Sequence, residues 1–295
     1  MVSSNFNRVL LTLLFLIHLS LTSFAWAKTQ VEELTEAAES GNAGAQLQLA
    51  WMYKSGDFVK LSDGTSVSKD SLKALEWFKR AAKSADESAQ QIAAFEIGGL
   101  YTGGNTIPVD LVQATHWLTI SSDISIPNEP RSIELRADAF NILGQIYLEE
   151  CLWIDLSGPI CATQKSLPLK DNGTAARFFE ESVQLGNGDA RLYLAMMYKL
   201  GKGVPQNFAK AHELFLAIAD VGNESYAGND NLFVALGKLN NEMGKPIEAL
   251  MWFTLGAAEN DKEAVLLRDK ARGLLTPRDV AMAQQMAEDW LHDHR

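Results

Sequence analysis

A nine-residue segment recurs along this chain and restricts its fold more than any other feature. It reads AQLQLAWMY at 45–53, AAFEIGGLY at 93–101, AFNILGQIY at 139–147 and ARLYLAMMY at 190–198. A degenerate fifth copy, LFVALGKLN, occupies 232–240. Each copy has an apolar residue, a small one beside it, a further apolar one two places on, and usually a tyrosine. Leu49, Ala50, Met52 and Tyr53 return as Leu194, Ala195, Met197 and Tyr198. That spacing fits one face of a helix.

A second pattern follows each copy. Ala74 precedes Trp77-Phe78, Ala114 precedes Trp117-Leu118, and Ala175 precedes Phe178-Phe179. Likewise Ala211 precedes Leu214-Phe215, and Ala249 precedes Trp252-Phe253. Four residues before these alanines stand Asp70, Asp110, Asp171 and Asn207, residues suited to satisfy the free backbone donors of a helix start. In the fifth copy Lys245 holds that slot and Pro246 follows. The chain therefore predicts five helix–turn–helix units. Such a unit cannot bury its apolar face alone, so the units must stack.

The pattern A-x-x-x-L-A-x-M-Y-x-x-G-x-G-V-x-x-[DN]-x-x-K-A-x-x-x-[WF] resembles the Sel1-like repeat, a relative of the tetratricopeptide repeat. Residues 190–215, ARLYLAMMYKLGKGVPQNFAKAHELF, match it almost throughout. The resemblance implies an all-α, right-handed α-solenoid with repeats at about 43–83, 87–122, 134–185, 188–221 and 230–259 within a body spanning 28–274. The ending is similar to the closing segment of many bacterial members, with Thr276 and Pro277 as N-cap and first residue of a capping helix in 275–295.

The N-terminus has a different character. Arg8 is the one charge before an almost wholly apolar run from Val9 to Leu21, and Ala25-Trp26-Ala27 follows. A basic flank, an apolar stretch of about a dozen residues and an A-x-A site describe a secretory signal peptide over 1–27, cleaved after Ala27. A periplasmic or secreted location is the expectation, with no membrane span left after cleavage. The two cysteines, Cys151 and Cys161, share one Pro/Gly-containing segment and in an oxidising compartment would form a disulfide.

Units one and three carry insertions between the tyrosine and the alanine, DFVKLSDGTSVSKD at 57–70 and the cysteine segment. Both fall in the turn within a unit, where added length serves partner binding or is simply tolerated. Longer joints between units are expected at 120–133 and 222–231.

Chemistry-bearing motifs are sparse. The histidines past the leader, His116, His212, His292 and His294, lack H-x-x-x-H spacing, and no G-x-S-x-G or Walker lysine motif occurs. GKG at 201–203 lacks the rest of a phosphate loop. No cofactor or metal set is expected. A net charge of −11 without a basic stripe argues against nucleic acid. One secreted branch of the resembled family is linked to β-lactamase activity, but it carries a cysteine pair in each repeat and this chain has a single pair. A peptidoglycan-related or β-lactamase-like hydrolase thus stands as the alternative reading. A luminal quality-control component is a third, since Asn172-Gly173-Thr174 and Asn223-Glu224-Ser225 fit the glycosylation pattern.

Recognition of a protein or peptide partner is the leading expectation. With Leu49 and Tyr53 facing inward, Leu47 and Trp51 lie nearly opposite, as do Phe95, Gln145, Leu192 and Met196 at equivalent positions. Lys54, Lys199 and Lys238 stand at the margins of the groove these residues would form. Either a partner uses those apolar side chains, or neighbouring helices cover them.

Overall fold

The computed structural model describes residues 29–56, 64, 67–103, 106–148, 170–220 and 232–294, with the backbone of 152–154 and 158–160. The predicted leader, the joint at 222–231 and both cysteines lie outside these residues, as does most of the first insertion. No described helix is long and apolar enough to cross a membrane.

The fold is all-α. The chain divides into two compact units, 1–108 and 109–295. In the first, α1 (Gln30–Glu39) packs on α2 (Ala43–Ser55), α2 on α3 (Ser71–Ala81), and α3 on α4 (Glu87–Gly103). In the second, α5 (Leu111–Asp123) packs on α6 (Pro130–Tyr147), which packs on α7 (Asn172–Gln184). Then α8 (Gly188–Leu200), α9 (Phe208–Asp220), α10 (Leu232–Glu242) and α11 (Pro246–Ala258) follow, each against its predecessor. Both α12 (Lys262–Arg272) and α13 (Pro277–Asp293) pack on α11. Between α6 and α7 a short antiparallel pair, β1 (Leu152–Ile154) and β2 (Gly158–Ile160), sets Leu152 opposite Ile160.

The two sequence patterns become the two helices of each repeat. The alanines Ala74, Ala114, Ala175, Ala211 and Ala249 are fully buried. One turn later Phe78, Leu118, Phe179, Phe215 and Phe253 are equally buried, and these large side chains form the core. Small residues on the first helices make room for them. A Cβ on Gly144 would come within 2.6 Å of the Phe179 ring, and one on Gly237 within 2.3 Å of Phe253. The aromatic ring therefore occupies the space a larger residue would need.

The helix starts match their sequence signals. Asp70 accepts from the amides of Leu72 and Lys73, Asp110 from Gln113, Asp171 from Gly173, and Asn207 from Lys210. Each such cap is worth about 1 kcal/mol. Lys245 makes no side-chain cap, and Pro246 opens α11 instead. Thr276 caps α13, with Pro277 its first residue. The joint expected at 120–133 is much shorter: α5 continues to Asp123 and α6 begins at Pro130. Ser121 and Ser122 read as turn residues in sequence, yet both are buried in the helix, where the Ser122 hydroxyl donates back to the Thr119 carbonyl. Helix α1 precedes the first repeat and opens with a capping box, Thr29 and Glu32 bonding each other's backbone. That T-x-x-E signal was present in the sequence.

In the first, third and fourth repeats the same backbone bond closes the turn, whatever its length. The amide of the N-cap residue donates to the carbonyl of the tyrosine: Asp70 to Tyr53 at 2.8 Å, Asp171 to Tyr147 at 2.9 Å, and Asn207 to Tyr198 at 2.8 Å. Both insertions thus leave and rejoin the fold at equivalent joints. In the first, Gly56, with φ +68°, also lies against Lys69 and seals the stem. In the fourth, Gly203 has φ +69° and sits so close to the start of α7 that a Cβ would fall 2.1 Å from the Asn172 carbonyl oxygen. Left-handed backbone and absent space together require glycine there.

Candidate interaction surface

The sequence singled out residues on the first helix of each repeat. In the unit 1–108, Leu47 is buried, 6% exposed, so neighbouring helices cover it. Trp51 is half-buried and fixed from two sides. Its indole N–H donates to Glu96 Oε1 at 2.9 Å, and its ring stands edge-on to Phe78 at 6.3 Å between centroids. Lys54 Nζ pairs with the other oxygen of the same carboxylate at 2.6 Å. Glu96 therefore ties both residues of α2 to α4, next to the half-buried Phe95.

In the unit 109–295, Met196 is buried, while Gln145 and Leu192 are half-buried. Val234, the equivalent of Leu47 in the fifth copy, is also buried. Lys199 of α8 reaches Glu242 of α10 at 3.9 Å, and Lys238 of α10 reaches Glu263 of α12 at 2.8 Å. The three lysines placed at the groove margins thus each hold the first helix of the next repeat. Ion pairs of this exposure contribute about 0–1 kcal/mol each. Of the residues singled out, Trp51 and Phe95 stay partly open in the first unit, and Gln145 and Leu192 in the second.

Sequence reasoning did not find Glu96, Glu242 or Glu263, because each belongs to the neighbouring repeat. It also missed the role of the repeat tyrosines. The Tyr198 hydroxyl donates to Glu180 Oε1 of α7 at 2.8 Å and receives Lys210 Nζ of α9 at 3.3 Å. In the first unit, Lys79 Nζ of α3 donates to the Tyr101 hydroxyl of α4 at 3.2 Å. Lys79 and Glu180 hold the same repeat position, five residues after the buried alanine.

Perturbed ionisable groups sit at packing joints on different helices. Burial raises the Asp138 carboxyl, which accepts from the Asn187 side-chain amide at 2.9 Å. Burial pushes the Tyr193 phenol up to about 12, where its ring stacks on Phe179 at 4.7 Å. Burial, then the Lys245 charge, lowers His212. Among the described residues, no three His, Cys, Asp or Glu side chains gather as a metal ligand set.

These repeats can be compared with known ones. The Sel1 repeat family matches residues 43–86, 91–123, 188–223 and 243–261. The chain carries Sel1 repeats. The fold agrees with a solved Sel1-like structure, that of a protective antigen present in uropathogenic Escherichia coli strains and displaying an SLR fold. The TM-score is 0.52 at 19% identity, over 88% of this chain and 48% of that one. This chain therefore spans about half the length of that protein. A Sel1 repeat protein from Oxalobacter formigenes gives a TM-score of 0.47 at 20% identity, over 89% of this chain and 79% of that one. No curated protein matches the chain. The third repeat lies outside the family matches and the fifth partly so, although their helices and buried positions repeat those of the others.

Proposed function

We propose that this Sel1-repeat protein is a non-enzymatic adaptor or regulator of the bacterial cell envelope that holds a protein or peptide through the open face of its first helices. Sel1 repeats commonly mediate protein–protein interaction, and that family property supports the reading. The observation that carries it is the setting of Trp51. A half-buried tryptophan locked by Glu96 and Phe78 presents a large rigid surface at little further entropic cost, which is how interface anchors work. Beside it, Phe95 adds aromatic area. The lysines are engaged by Glu96, Glu242 and Glu263, so an apolar partner surface suits this face better than an anionic one.

The envelope location rests on the leader-like segment before Ala27 and on the cysteine pair, which would be bridged in an oxidising compartment. The test compares wild type with Trp51→Ala and Phe95→Glu in crosslinked pull-downs from envelope extracts. Leu72→Glu, at an exposed position on a second helix, is the control. A partner lost with the first two and kept with the third supports the proposal; equal recovery by all four proteins rejects it. Met196 is unsuitable for this test, because a charge at so buried a position would unfold the repeat.

A further inference from the structure

The ion pairs between first helices share a direction. In Lys54–Glu96, Lys199–Glu242 and Lys238–Glu263, the base belongs to the earlier helix and the acid to the later one. Helix α12 is the last first-type helix, and its outward stripe carries Lys262, Leu266 and Lys270 at four-residue steps, all exposed. Leu266 is 69% exposed, and Leu274 just beyond the helix is 80% exposed. Arg272 and Arg278 are exposed nearby. In a chain of net charge −11 this is a locally basic segment with bare leucines.

The opposite composition occurs on α1. Its exposed face consists of Glu32, Glu33, Glu36 and Glu39, and the helix contains no Lys or Arg. Its other face packs on α2 through Leu34 and Ala38.

We propose that α12 is a docking surface for α1 of a second copy of this chain. The acidic stripe of one copy lies along Lys262 and Lys270 of the next, where Arg268 already pairs with the exposed Asp269, and Leu266 and Leu274 lie against the aliphatic parts of the incoming helix. Such a contact pairs two different helices, α12 of one copy with α1 of the other. It uses neither Trp51 nor Phe95 and is independent of the adaptor reading.

Sedimentation of the full chain across a concentration series at low salt tests this. Wild type should gain mass with concentration, and added salt should reverse the gain, since exposed charges are screened. The variants Lys262→Glu/Lys270→Glu and Glu33→Lys/Glu36→Lys change exposed residues, and circular dichroism reports whether each stays folded. Each alone should associate at least about tenfold more weakly, because like charges then face each other. Mixing the two variants one to one restores opposite charges at both kinds of junction and should restore the association. A wild type that stays monomeric overturns the proposal. So does association unchanged by either reversal, or a mixture of folded variants that fails to recover.

Discussion

Tyr198 and Glu180 join the fourth repeat to the third through a 2.8 Å hydrogen bond, while Lys210 holds the same hydroxyl from within the fourth repeat. The tyrosine is 8% exposed, and it also lends its backbone carbonyl to Asn207. One residue therefore closes its own turn and ties its repeat to the previous one. Removing the hydroxyl with Tyr198→Phe should cost about 1 kcal/mol. A double-mutant cycle with Glu180→Ala, read by chemical denaturation, should show coupling between the two; strict additivity would mean the bond contributes nothing.

The buried Tyr193 predicts an alkaline limit to stability. Its phenol is neutral in the fold up to about 12, against an ordinary value of about 10 in the unfolded chain. The raised folded value makes its contribution fully present below about pH 10 and progressively lost as pH rises towards 12. Tyr193→Phe should flatten the fall in melting temperature over that window. An unchanged slope would assign the alkaline loss to other groups.

Gly203 should be intolerant of any side chain. Gly203→Ala combines a positive φ with a 2.1 Å approach to the Asn172 carbonyl oxygen, and a loss of at least about 3 kcal/mol follows. Gly41→Ala is the control, because Gly41 shares the positive φ but faces open space. It should cost only about 1 kcal/mol. Equal losses in denaturant melts would remove the argument from close packing.

How much of this was legible follows from range. The caps at Asp70, Asp110, Asp171 and Asn207 act within three residues of themselves, and the buried alanines and phenylalanines repeat at fixed spacing. Both were readable from the chain. Glu96 and Glu180 were not, since their partners lie in adjacent repeats and depend on how helices stack. Leu47 and Met196 look outward by helical phase alone, yet stacked helices bury them. The groove lysines were seen, but their engagement by the next repeat was not. The long joint at 120–133 was overestimated because serines and aspartate are ambiguous between turn and helix end.

The insertion in the first repeat should be dispensable for folding. Gly56 and Gly201 hold equivalent positions, so residues 57–69 can be exchanged for the shorter segment 202–206. The closing bond from Asp70 to Tyr53 stays in place, and loop shortening changes closure entropy by only about 1 kcal/mol. The melting temperature should move by no more than a few degrees. A collapse of cooperative unfolding would show that the insertion is part of the core.

Cys151 immediately precedes β1 and Cys161 immediately follows β2 in the sequence, and we propose that they are joined. Thiol labelling of the protein secreted under native conditions should find no free cysteine until a reductant is added. Two reactive thiols before reduction would reject the disulfide.

Amide hydrogen exchange on the purified protein, with and without a partner recovered through Trp51, addresses the central claim most directly. Slowed exchange on α2 and α4, beside Trp51 and Phe95, is the result expected of recognition by the first helices. Slowing confined to the second helices α3, α5, α7 and α9 would contradict it.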